Sequence, residues 1–155
     1  MNSFGIRVAL LLLAGLVAGC QTGPIRLTDA SLQFDLEGLE RTHDGLTMSV
    51  LVLNPNDHSV LVGGASLSFA LEDQQPLTLE VPLNLDIAPR NRERIRVLLP
   101  PDRKILEMLG ELDDGARARL SYRLEIELQL QDSRPTGSRI DAFLHRVPGQ
   151  TGRYR

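Results

Sequence analysis

Tryptophan is absent from this chain of 155 residues, aromatic residues together reach only 4%, and there is one cysteine, Cys20. Each shortage removes a class of function. A single cysteine allows no internal disulfide and no cysteine-based zinc site. So few aromatics leave no platform for stacked bases. The balance of 17 basic against 20 acidic side chains also lacks the basic excess of a nucleic-acid binder, so no nucleic-acid partner is expected. There is no G-x-S-x-G, no P-loop and no dinucleotide fingerprint. His43, His58 and His145 stand apart from one another, the first two in expected turns. Asp113 and Asp114 are read as a solvated loop, because adjacent residues rarely aim two carboxylates at one point. The expectation is a non-enzyme, with no catalytic, metal-binding or cofactor-binding residue and no cofactor.

Apolar residues make up 42% of the chain, enough for the core of one domain of ordinary size. That core must be built from Leu, Val and Ile, and such a core packs solid rather than around an apolar ligand. The chain opens on a short polar stretch ending at Arg7, followed by the apolar run Val8 to Val17 and the small residues Ala18 and Gly19. This order is that of a secretory signal peptide. The run is about half of the ~20 residues that a membrane-spanning helix needs. Val17-Ala18-Gly19-Cys20 resembles the lipobox of bacterial lipoproteins, which implies cleavage before Cys20 and its lipidation. The residue after it, Gln21, is not Asp, which in Gram-negative lipoproteins implies sorting to the outer membrane. The expected location is the bacterial cell envelope, at the outer membrane and facing the periplasm. The expected division is a signal peptide over 1–19, a lipidated cysteine and tether over 20–29, one domain over 30–147 and a C-terminal tail over 148–155.

Beyond the tether the dominant period is two. Leu46, Met48, Val50 and Val52 alternate with Thr47, Ser49, Leu51 and Leu53; Leu67, Phe69 and Leu71 alternate with Ser66, Ser68 and Ala70. Leu77, Leu79, Val81, Leu83, Leu85 and Ile87 continue the pattern, and the longest run goes from Ala118 to Leu130. Alternation of this kind predicts sheets with one face in a core and one in water. Asn54-Pro55-Asn56-Asp57 predicts a turn, Gly63-Gly64 a bulge or bend, and Ile140 to Leu144 a last strand. Ile105, Leu106, Leu109 and Leu112 change to a helical stripe, so one helix is expected over about 101–112, with Asp102 suited to its start. The expected fold class is all-β, an antiparallel sandwich of about seven strands with one short helix.

Val52-Leu53-Asn54-Pro55-Asn56 resembles the V-x-NPN signature of the late embryogenesis abundant (LEA) type 2 group, also called the WHy domain. Ser66 to Leu71, Ile87-Ala88-Pro89 with Arg94 to Leu99, and Tyr122-Arg123-Leu124 within Arg119 to Leu130 fall in the family's order. The similarity spans roughly Ala30 to Val147. It implies an immunoglobulin/fibronectin type III-like sandwich without a catalytic centre, and an association with water stress, desiccation and protein protection. The expected function is therefore an outer-membrane lipoprotein that protects or binds proteins or membrane surfaces. The alternative is a structural adaptor for one defined envelope protein.

Two features remain as candidate sites. Asn54, Pro55 and Asn56 form the motif turn, which a turn-forming role explains. Arg90, Arg92, Arg94 and Arg96 fall on one face of a strand at period two, with Ile95 and Val97 on the other. Like charges in a row repel unless paired, and Glu80, Glu125 and Glu127 are the expected cross-strand partners. The same row is a candidate patch for an anionic surface, since guanidinium forks match phosphate.

Overall fold

The computed structural model describes residues 30–155, so the leader and Cys20 lie outside the described residues. Eight strands and one helix follow in order: β1 (Gln33–Thr42), β2 (Gly45–Leu53), β3 (Val60–Leu71), β4 (Leu77–Ile87), β5 (Arg92–Leu99), α1 (Arg103–Asp113), β6 (Leu120–Leu130), β7 (Thr136–Leu144) and β8 (Arg153–Tyr154). They form two four-stranded sheets, in the orders β5-β2-β1-β8 and β4-β3-β6-β7. All pairings are antiparallel. This is the all-β sandwich expected from the alternation, with one strand more.

The period-two pattern decides what is inside. Leu46, Met48, Val50 and Val52 of β2 are buried, as are Leu67, Phe69 and Leu71 of β3 and Leu120, Leu124 and Leu128 of β6. Among the described residues the core runs from Leu32 to Tyr154, and no buried side-chain polar atom lacks a hydrogen-bond partner. Residues 30–155 therefore hold a hydrophobic core of their own, the property that lets a domain fold alone. Helix α1 runs Arg103–Asp113 rather than 101–112. Asp102 stays extended as its cap, and its Oδ1 accepts from the Ile105 N–H at 3.0 Å. Ile105, Leu109 and Leu112 are its buried stripe.

The bulge expected at Gly63-Gly64 is present, as a register shift between Val62 and Gly64. A second bulge, in β1, lies between Leu36 and Gly38 and leaves Glu37 without a partner in β2. The segment 148–155, expected as a tail, is part of the domain. Its strand β8 pairs with Leu39 and Glu40 of β1, and Tyr154 is 1% exposed. Its ring is part of the hydrophobic core, where burying an aromatic side chain removes a large apolar area from water. Gly38 makes this approach possible, because a Cβ there would stand 2.5 Å from the Tyr154 carbonyl oxygen.

Candidate functional site

The motif turn is built into the fold at the end of β2. Asn54 is 0% exposed. Its Nδ2 donates to the carbonyls of His58 (2.8 Å), Ile87 (3.0 Å) and Ala88 (3.2 Å). Its Oδ1 accepts from the Asn56 N–H at 3.0 Å, the local bond of an Asx turn. Asn56 faces the other way. Its Oδ1 accepts from the Ala30 N–H at 2.7 Å and its Nδ2 donates to the Ala30 carbonyl at 3.0 Å, so the side chain clamps the chain where the described residues begin. Two asparagines thus join the β2–β3 loop, the β4–β5 connection and the entry to β1. The turn-forming role covers both side chains, and a buried Asn54 has no free face for a partner.

The arginine row is partly as expected. Arg92, Arg94 and Arg96 alternate outward on β5, with Ile95 and Val97 buried beneath them. Arg90 does not belong to it. This residue sits at φ 53° in the β4–β5 turn, and its N–H donates to the Asn56 carbonyl at 3.0 Å. The expected partners Glu80, Glu125 and Glu127 lie on β4 and β6, in the other sheet, and face away. Glu37 takes their place: both of its oxygens accept from the Nε and Nη2 of Arg94, a bidentate pair that raises the guanidinium's pKa further. The β1 bulge is what aims Glu37 across β2 toward β5. Spacing along β5 could show which arginines share a face, but not which sheet would lie beside it.

A groove of about 640 Å3 lies on this outer face. Thr47 and Ser49 of β2 and Glu37, Gly38 and Glu40 of β1 line it from below, with Arg94 and Arg96 on one side. On the other side stand Arg153 and Arg155 from the C-terminal segment. Arg153 pairs with Glu40, its Nε 3.2 Å from Oε1. Arg96 and Arg155 have no carboxylate partner among the described residues. The role of the last residues was not legible beforehand, because nothing in their local pattern marks a strand.

Behind the groove, the Tyr154 hydroxyl donates to Asp113 Oδ2 at 2.7 Å, and the Gly152 N–H donates to Asp113 Oδ1 at 3.2 Å. Burial, then this bond to a carboxylate, hold the phenol's pKa well above its ordinary value, so it stays a donor. Asp113 is therefore no solvated loop residue: its side chain is 8% exposed at the end of α1, and Asp114 is the exposed cap.

The outer face of the second sheet carries a different pattern. Asp141 accepts from Arg139 at 2.6 Å and from Arg123 at 3.0 Å, and these bonds, Arg139's first, hold its carboxyl below the usual range. Glu80 and Glu127 flank Ser66 on one row and have no basic partner among the described residues. The outer face of the second sheet also carries a cation, Arg119, whose guanidinium lies 4.0 Å from the centre of the exposed Phe143 ring.

No protein-family model matches the chain, and no curated protein matches it. Solved structures that are similar include a protein from Archaeoglobus fulgidus, at 10% identity and a TM-score of 0.48, covering 76% of this chain and 97% of that one. A candidate late embryogenesis abundant (LEA) protein is 14% identical at a TM-score of 0.48, covering 92% of this chain and 86% of its own. A protein from Arabidopsis thaliana is 17% identical at a TM-score of 0.42, covering 79% and 91%. Function lives in sites rather than folds, and none of the three brings an activity to this chain.

Proposed function

We propose that this chain is a lipid-anchored protein of the bacterial envelope, held at the outer membrane through Cys20 and facing the periplasm. Its sandwich acts there without catalysis as a LEA type 2-like protective domain in water stress. The observation that supports this reading is the placement of the motif residues. Asn54 and Asn56, which carry the resemblance, are the side chains that tie three segments of the domain together. Contact with partly unfolded clients would run through sheet edges and polar faces.

The second reading, an adaptor for one envelope protein, draws support from β4. This is an edge strand, and its inward-facing Leu77, Leu79, Val81, Leu83 and Leu85 are all only half-buried. A single partner could cover that seam. Crosslinking in the intact envelope separates the two. The protective reading expects many weakly represented partners, and one stoichiometric complex would replace it with the adaptor. In the same cells, Cys20→Ala is expected to move the protein from the membrane to the soluble fraction. Unchanged membrane attachment would remove the anchor.

A further inference from the structure

We propose that the groove binds a phosphate group, free or carried on a phospholipid headgroup, between Arg96 and Arg155 above the Ser49 hydroxyl. The sheet register brings these groups together. Gly38 pairs with Ser49, and Ser49 pairs with Arg96, so the three lie on one row across β1, β2 and β5. The β1–β8 register, Leu39 with Tyr154 and Glu40 with Arg153, brings Arg155 beside Gly38, where a built Cβ would come within 3.9 Å of the Arg155 Cβ, so Arg155 stands at the other end of the row. Three strand spacings, about 14 Å, separate Arg96 from Arg155, a span that two extended arginine side chains reaching inward can close. Between them the floor is low, because Gly38 has no side chain and Ser49 a short one.

The electrostatics select the same two arginines. Glu37 occupies Arg94 and Glu40 occupies Arg153, so the acids lining the groove are already paired. Arg96 and Arg155 keep their forks available, having no Asp or Glu side chain as partner among the described residues. Arg155 is also held in place, its backbone N–H and carbonyl both bonded to His145 at 2.9 and 2.8 Å. A lone carboxylate engages one fork. A tetrahedral phosphate presents oxygens to both sides at once, and the hydroxyls of Ser49 and Thr47 offer further donors.

The test uses residues 21–155, which contain the whole described core and lack the lipidation site, in a low-salt buffer free of phosphate. Inorganic phosphate is titrated while the backbone amides are followed by NMR. Vesicles of phosphatidylcholine, with and without phosphatidylglycerol, are assayed by sedimentation. The expected result is saturable binding that shifts the Ser49, Arg96 and Arg155 amides and weakens with salt. In the Arg96→Gln, Arg155→Gln double variant, affinity should fall at least tenfold with unchanged thermal unfolding. Arg134→Gln, in the β6–β7 turn, should bind as the parent does. Binding of inorganic phosphate identifies a free phosphate as sufficient, and binding of phosphatidylglycerol vesicles alone identifies the headgroup. Absence of both, or equal binding by the double variant, overturns the proposal. The acyl-free chain keeps this outcome independent of the anchoring through Cys20.

Discussion

Asn54→Ala is expected to lower the stability of the domain by about 1–3 kcal/mol, the cost of leaving the buried Ile87 carbonyl without its donor. The substitution takes the amide from the carbonyls of His58, Ile87 and Ala88 at a position with no solvent access. It also removes the acceptor for the Asn56 N–H, which positions the clamp on Ala30. Asn54→Asp keeps the shape but should cost more than Asn54→Ala, because a carboxylate would face three carbonyl oxygens. Urea unfolding measures both. A fall in the midpoint at constant slope is the expected signature. An Asn54→Ala midpoint within experimental error of the parent would mean that the motif turn does not bind these segments together.

Tyr154→Ala should destabilise by about 3–5 kcal/mol, the range for truncating a buried aromatic side chain. Tyr154→Phe should cost about 1–2 kcal/mol, since the ring stays and the hydroxyl's bond to Asp113 is lost. The ordering matters more than either value. If residues 148–155 were a dispensable tail, both substitutions would be silent. Because β8 pairs with Leu39 and Glu40, hydrogen exchange at the edge of β1 should speed up in Tyr154→Ala and barely change in Tyr154→Phe. Equal, small effects of the two variants would contradict the latch between β8 and α1.

Most of the sandwich was legible because alternation and burial are the same statement for a strand with one wet face. Strands β2, β3, β4 and β6 follow from period two, and α1 from its stripe and Asp102. Strand β1 was hidden by its bulge: Phe34 and Leu36 are two apart, but the next inward residue is Leu39, three on, because Glu37 is inserted. Strand β8 is two residues long, too short for any period. Its signal was Tyr154, one of only two tyrosines in the chain. For the candidate site, the outward arginines of β5 were readable and their surroundings were not. Neighbouring strands in a sheet come from distant parts of the chain, so the pairing of Arg94 with Glu37 and the approach of Arg155 to Gly38 depend on topology alone.

Protection during drying is the central functional claim, and it has a direct measurement. A labile enzyme is dried and rehydrated with residues 21–155, or with an equal mass of an inert β-sandwich. Recovery well above the inert control is the result this account predicts, and it would make protection an intrinsic property of the domain. Recovery equal to that control would contradict the protective function while leaving the fold and the groove as they are.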